Sequence, residues 1–301
     1  MRAPLTLLAF QATWLFLVFA GFSLVFWGVA GIDWREAIRE SGSALFTIGF
    51  ATPEGGVPLF LVFAEAIIGL TLMALLISYL PTIYASFQQR EFMVSKLAVR
   101  TGAPTSPWQA LIIAQLTGSF ETLDDAFWRD WEDWFIEIAE SHTSLVILNF
   151  YRSPDPDNHW IATARTVLDM AALRIAVVDL PAGVGPHIAI RSGSLSFRTL
   201  ARYFRFPHDL DPQPSDPISV TQDQFDVAYD LIAASGVPVV ADRQAAWIAF
   251  AGWRVNYDAV IVAAADAFIV PADPWLSLGP DAIAPEPHDD LDDDTGGEIA
   301  P

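Results

Sequence analysis

"ALFTIGFATP", residues 44–53, is the stretch on which the fold turns, because it breaks two long apolar runs. It is either a turn between two hydrophobic helices or a strip of backbone that handles ions. Upstream, no charged residue falls between Arg2 and Asp33. Leu5 to Gly28 is 24 residues long, roughly 36 Å as a helix, enough for a hydrocarbon core of about 30 Å with some tilt. Trp27 falls where an interfacial aromatic would sit. A cleaved signal peptide would have an apolar region of only about 7–15 residues. Downstream, Glu65 is the only charge between Glu54 and Arg90, and Val57 to Leu80 predicts a second spanning helix.

Composition agrees with a chain that is part membrane and part soluble. Of 301 residues, 53% are hydrophobic while 17% remain charged. The net charge is −20, and nine acids but no Lys or Arg lie from Pro271 onward. Binders of nucleic acid carry basic stripes, so that class is excluded. The chain has no cysteine, which removes disulfide and thiolate chemistry. Two spans put both termini on one side. Arg2, Arg90, Lys96 and Arg100 against Arg35 and Arg39 in the intervening segment favour termini inside, as in a multi-pass protein of the plasma membrane with cytoplasmic ends.

The connector from Ala30 to Gly56 is longer than a hairpin needs. "WREAIRESGSALF" (34–46) has helix formers first and apolar residues last, with Asp33 placed to cap it. "TIGFATP" and the turn-rich "EGGVP" follow. Span, short helix, extended strip and span is the order of a re-entrant pore loop. Irregular backbone at membrane depth is tolerated only where it is buried in protein or lines water.

At these residues the chain resembles the potassium-channel pore domain, the two-span type that assembles as a tetramer. Thr47, Ile48, Gly49, Phe50 and Ala51 match that family's T-V-G-Y-G filter in its first four classes, and Leu45 fits the approach to it. Ala51 replaces the final glycine and Thr52 the aspartate that usually follows. Glu65 and Gly69 look like the E-x-x-x-G of the inner helix in prokaryotic inward-rectifier-like channels. The likeness covers about residues 5–100. It implies filter carbonyls that replace an ion's hydration shell, a homotetramer in lipid, and monovalent cations, potassium foremost, as the permeant species. Ala51 would cost roughly 1–2 kcal/mol per subunit in a left-handed conformation. Either it takes a torsion open to L-residues and the outermost ion site is altered, or the filter is incomplete.

Glu65 is the only charged residue inside the second span, about 12 Å below its outer end. An acid there is expensive unless partnered. Arg39 and Ser43 are its candidate partners, with Glu65 bracing the short helix from behind, or else it sits near an aqueous mouth. Gly69, one turn below, is a hinge or a close-packing position. Pro81 would kink the helix, setting Ile77, Leu80 and Tyr84 near a gate.

Apolar spacing continues through Ile83, Phe87, Val94 and Leu97 until "TGAPTSP" (101–107). The predicted organisation is a pore domain over 1–100, a helical cytosolic domain over 101–270 and a disordered acidic tail over 271–301. The tail's Asp289–Asp294 run solubilises it or draws cations to a pore mouth. Leu123, Phe127, Trp131, Trp134, Phe135 and Ile138 form a helical stripe, acidic on its other faces. Further helices are expected over about 160–177 and 195–206, from the Thr221/Gln224 capping box, and from Asp242 through Tyr257 and Ile261. Arg254 is placed to pair with the acidic helix. "LRIAVVDLP" and "HIAI" are the only strand-like stretches. No metal spacing, nucleophile motif or phosphate loop is present, so neither enzyme nor cofactor is expected. The sequence thus predicts an all-α membrane protein with two spans, a re-entrant pore helix and filter loop, and a helical cytosolic domain. It is a tetrameric cation channel regulated through that domain, or a silent pore-like anchor for an interaction or sensor module.

Overall fold

In the computed structural model, residues 3–51, 55–102, 104–118, 125–155, 158–270 and 275 are described. Among them the chain is all-helical, with one isolated antiparallel bridge, Val178 to Val239.

Helix α1 spans Ala3–Ala30, α2 Trp34–Leu45 and α3 Gly56–Thr101. The Asp33 carboxylate accepts from the Arg35 N–H at 3.1 Å, capping α2. Helix α2 buries Ala37, Ser41, Ala44 and Leu45, a stripe at i, i+4, i+7 and i+8 that fits between α1 and α3. The three helices pack on one another. Gln11 Nε2 donates to the Leu72 carbonyl at 3.1 Å, and Ser41 Oγ stands 3.0 Å from the Phe19 carbonyl oxygen. Helix α3 is 46 residues long, roughly 69 Å. It runs through Pro81, whose ring removes the bond to the Ile77 carbonyl, and closes at Gly102 with φ 78°.

Helices α1 and α3 are long and apolar enough to cross a membrane, and only 11% of each one's most apolar window is buried. The core helix of a soluble protein has the opposite property. Phe16, Phe60, Ile67 and Ile77 all stand at 65–70% exposure, a surface too apolar for water.

The remaining helices form a bundle: α4 (Pro107–Leu116), α5 (Asp125–Ser144), α6 (Trp160–Ala176), α7 (Gly185–Phe204), α8 (Gln222–Ala234), α9 (Arg243–Arg254) and α10 (Asp258–Phe268). Helix α6 is its axis, buried at nearly every position. Helix α7 packs at close range on α5 and α6 because Gly185 and Gly193 lack side chains: a Cβ would lie 2.6 Å from Trp128 Cδ1 of α5 at the first, and 2.6 Å from Leu168 Cδ2 of α6 and 3.1 Å from Phe135 Cζ of α5 at the second. Met93, Val94 and Leu97 of α3 belong to the same core, so apolar hairpin and bundle share one helix.

Several expectations are met as drawn. Phe127, Trp131, Trp134, Phe135 and Ile138 of the acidic helix are buried, while Leu123 lies outside the described residues. The Thr221/Gln224 capping box forms, with bonds of 2.9 and 3.3 Å. Others need correction. Helix α7 begins ten residues before the expected Leu195 and absorbs "HIAI". "LRIAVVDLP" finishes α6, and only Val178 pairs with another segment. Short apolar runs buried on every side look alike in helix and strand. The expected final helix is two, α9 and α10, divided by a turn at 255–257. Helix α4 lies where no helix was foreseen, started by the Ser106 cap (3.2 Å to the Gln109 N–H) and Pro107.

Arg254 does not reach the acidic helix. It is 1% exposed and pairs with Asp169 of α6 and, through Nε at 2.9 Å, with Asp258. Asp169 also accepts from Tyr257 Oη at 2.8 Å and Trp275 Nε1 at 2.7 Å. The turn at 255–257 folds Asp258 back onto Arg254, and burial then favours the partners already inside. The acidic tail lies outside the described residues except for Trp275, whose ring is buried against Trp108 and Phe250.

Candidate functional site

The strip Thr47–Ala51 leaves the C-terminal end of α2. The Thr47 and Ile48 N–H groups bond back to the Ala44 and Ser43 carbonyls at 3.0 Å each. The Ala51 N–H donates to Ser43 Oγ at 3.1 Å, tying the far end of the strip to the helix it came from. The Arg39 guanidinium stands 5.8 Å from the Phe50 ring centroid. Thr47 has φ 54° and Gly49 φ 77°, while Ile48, Phe50 and Ala51 are not in the positive-φ region. In an extended chain of uniform φ sign successive carbonyls point to opposite sides, and a sign change at every second residue turns them toward one side. The left-handed torsion at Thr47 costs about 1–2 kcal/mol, so the strip holds strain where a simple turn would use glycine. Ala51 avoids that cost. Phe46, Ile48 and Phe50 are 54–63% exposed, an apolar rim with no cover in the single chain.

Behind the strip, Glu65 is fully buried in α3, and its Oε1 accepts from Ser41 Oγ at 2.5 Å. The partner is Ser41, not Arg39 or Ser43. Positions 41 and 43 lie about 200° apart on a helix, so with Ser41 facing α3, Ser43 is left to hold Ala51 and Arg39 to lie over Phe50. The Ala37–Ser41–Ala44 stripe carries this phase in the sequence. Gly69 packs against the end of α2, where a Cβ would lie 2.3 Å from the Leu45 carbonyl oxygen; it is a close-packing position. Ile77, Pro81 and Tyr84 are exposed and Leu80 is half-buried, along one stretch of unbroken helix.

A second cluster joins α3 to the bundle. Arg90 is 1% exposed. Its Nε and one terminal nitrogen bind Glu91 Oε1 at 2.8 and 2.7 Å. The terminal nitrogens donate to the Leu148 and Tyr151 carbonyls at 2.8 Å each. A terminal nitrogen also lies 3.3 Å from His142 Nε2, and the guanidinium stands 5.1 Å from the Phe87 and 5.8 Å from the Trp160 ring centroid. Ser141 Oγ spends its proton on the Glu137 carbonyl, so it accepts from His142 Nδ1 at 2.9 Å, which leaves Nε2 to accept from Arg90. Burial first, then the adjacent Arg90 charge, pulls His142 down to about 3 and His159 down to about 4, with Arg152 adding to the second shift. In the sequence Arg90 counts only as a positive charge beyond the second span, because one arginine on an amphipathic helix looks like a surface residue.

The sequence matches no protein-family model, no curated protein and no solved structure. Fold and site therefore define the class directly: an all-helical protein in which two helices long and apolar enough to cross a membrane enclose a capped short helix and a strained strip, the second of them running on into a buried-core bundle.

Proposed function

We propose that this chain crosses the membrane twice and assembles as a tetramer around a path for monovalent cations, potassium foremost. In this reading α2 is a re-entrant pore helix, Thr47–Ala51 line the ion path and both termini are cytoplasmic. The observation that carries it is the tethered strip itself. Its φ alternates in sign at Thr47 and Gly49, its far end is tied by Ser43, and Glu65 with Ser41 braces the supporting helix. One chain supplies a quarter of such a pore, and the uncovered rim of Phe46, Ile48 and Phe50 is what a neighbouring subunit would meet. The alternation ends at Ala51, so the outermost ion site is altered and selectivity for potassium over sodium is relaxed. Arg90 fastens α3 to the 3-10 turn Val146–Phe150, which lets bundle movement pull on the helix below Pro81.

The break at Ala51 is also the observation that favours a second reading, a silent pore-like anchor. Flux through reconstituted liposomes separates the two. A Cβ added at Gly49 meets nothing within 4 Å, so Gly49→Ala acts through torsion alone, costing about 1–2 kcal/mol per subunit and about 4–8 kcal/mol per tetramer. Flux from the native protein that collapses with Gly49→Ala is the expected result. Flux no greater than in empty vesicles refutes conduction, and flux indifferent to Gly49 refutes the strip as the path.

A further inference from the structure

We propose that one end of the helical bundle is seated in the headgroup layer of the same bilayer that α1 and α3 cross. The inference rests on that crossing. The inner boundary follows from packing. Gln11 lies alongside Leu72, so antiparallel α1 puts Ala3, eight residues back, level with Leu80, eight residues on. From Leu80, Ile83 is about 4.5 Å and Phe87 about 10.5 Å further along α3. The headgroup layer on each side is about 5–8 Å deep. Ile83 is buried against Leu148 and Tyr151, with Phe87 beside them, and Phe87 and Tyr151 meet edge to face at 6.0 Å. Ile83 falls within that layer and Phe87 just past it, so the segment Val146–Tyr151, packed on both, is held at the aqueous edge of the layer and fastened to α3 by the two Arg90 bonds to its carbonyls.

The side chains it carries suit that place. Ile147 is 40% and Phe150 60% exposed, and Arg152 follows. Phe150 packs on Phe268 at 5.5 Å, and Phe204 and Phe206 reach the same ring at 5.2 and 6.2 Å. Around that ring Tyr203 and Ile269 are exposed, with Arg205 between the two phenylalanines. Exposed aromatic and aliphatic groups with arginines among them are the composition of an interfacial surface, where rings sink to the acyl boundary and guanidinium groups meet phosphates. Elsewhere a chain of net charge −20 would be repelled by an anionic leaflet.

The test uses full-length protein in phosphatidylcholine–phosphatidylglycerol vesicles, and the absence of native cysteine allows single-site fluorophores. Labels at Ile147→Cys and Phe150→Cys should be quenched by a nitroxide borne on shallow lipid and protected from aqueous iodide. A label at Val99→Cys, on the far end of α3 and 88% exposed, should behave the opposite way. Ile67→Cys, in the middle of the apolar length of α3, reports the crossing through quenching by a deep acyl-chain nitroxide. Labels at 147 and 150 that respond as Val99 does, or that both quenchers fail to reach, overturn the docking. If Ile67 is lipid-quenched in that experiment, the crossing survives and the docking alone falls; if it is not, both fall together. Two labelled positions guard against a local effect of losing the Phe150 ring.

Discussion

Gly69→Ala is the substitution that most directly tests how α2 is held. The added methyl would lie 2.3 Å from the Leu45 carbonyl oxygen, 3.0 Å from Leu45 Cδ1 and 3.1 Å from the Leu45 carbonyl carbon. Carbon and oxygen tolerate about 3.3 Å at closest, so α2 and α3 must part by about 1 Å at this point. Overpacking of this kind costs typically 1–3 kcal/mol. The clash is with backbone, so truncating the side chain by Leu45→Ala relieves the second contact and leaves the first. Leu45 precedes Thr47 by two residues, and displacement there passes directly into the strip. The assay is a denaturant midpoint in detergent, with vesicle flux measured on the same preparations. We expect a loss of about 1–3 kcal/mol, reduced flux, and no rescue in the Gly69→Ala, Leu45→Ala double variant. Gly42→Ala on α2 is the control: its Cβ would meet only Phe19 Cε2 at 3.6 Å, and replacing a helical glycine should gain up to about 1 kcal/mol. An unchanged midpoint and unchanged flux for Gly69→Ala would refute close packing as that glycine's role.

Ser41→Ala leaves the buried Glu65 without its donor and should cost about 1–3 kcal/mol, whereas Glu65→Gln, which keeps an acceptor for Ser41, should cost less; equal losses on chemical denaturation would count against the bond. Arg254→Met strips buried Asp169 and Asp258 of their shared cation and should cost about 3–5 kcal/mol, while Arg243→Ala, in an exposed pair with Asp230, should cost at most about 1 kcal/mol. The histidines set a pH dependence with a definite sign. His142 and His159 are pulled down to about 3 and about 4 from an unfolded value near 6.5. Below about pH 6.5 the unfolded chain therefore binds protons that the folded chain refuses, so stability is full above that pH and falls on acidification, approaching 1.4 kcal/mol per pH unit per histidine. Thermal midpoints between pH 7.5 and 5.5 should drop, and His142→Gln should flatten the drop.

Much of the apolar half was legible because its signals are local. Uncharged runs of spanning length, the Asp33 cap and the glycine at 102 each act within a few residues, and the helices begin and end close to where those signals put them. In the bundle the Thr221 box and the tryptophan stripe were legible for the same reason. What failed were features set by neighbours distant in sequence. "HIAI" is helical because α7 is sheltered by α5 and α6, and the split between α9 and α10 follows from Arg254 finding Asp169, 85 residues earlier, together with Asp258.

The candidate site divides along the same line. The sequence by itself determined that a Thr-Ile-Gly-Phe strip stands behind a capped helix between two apolar runs, with one acid in the second. Only the tertiary structure decided that Ser41 holds Glu65, that Ser43 holds Ala51, that Ala51 escapes the left-handed torsion Thr47 accepts, and that Gly69 is the point where α3 touches Leu45. Helix formation depends on residues three and four apart, which a sequence displays directly. Partner choice depends on the rotational phase of one packed helix against another, and that phase exists only after the helices have met.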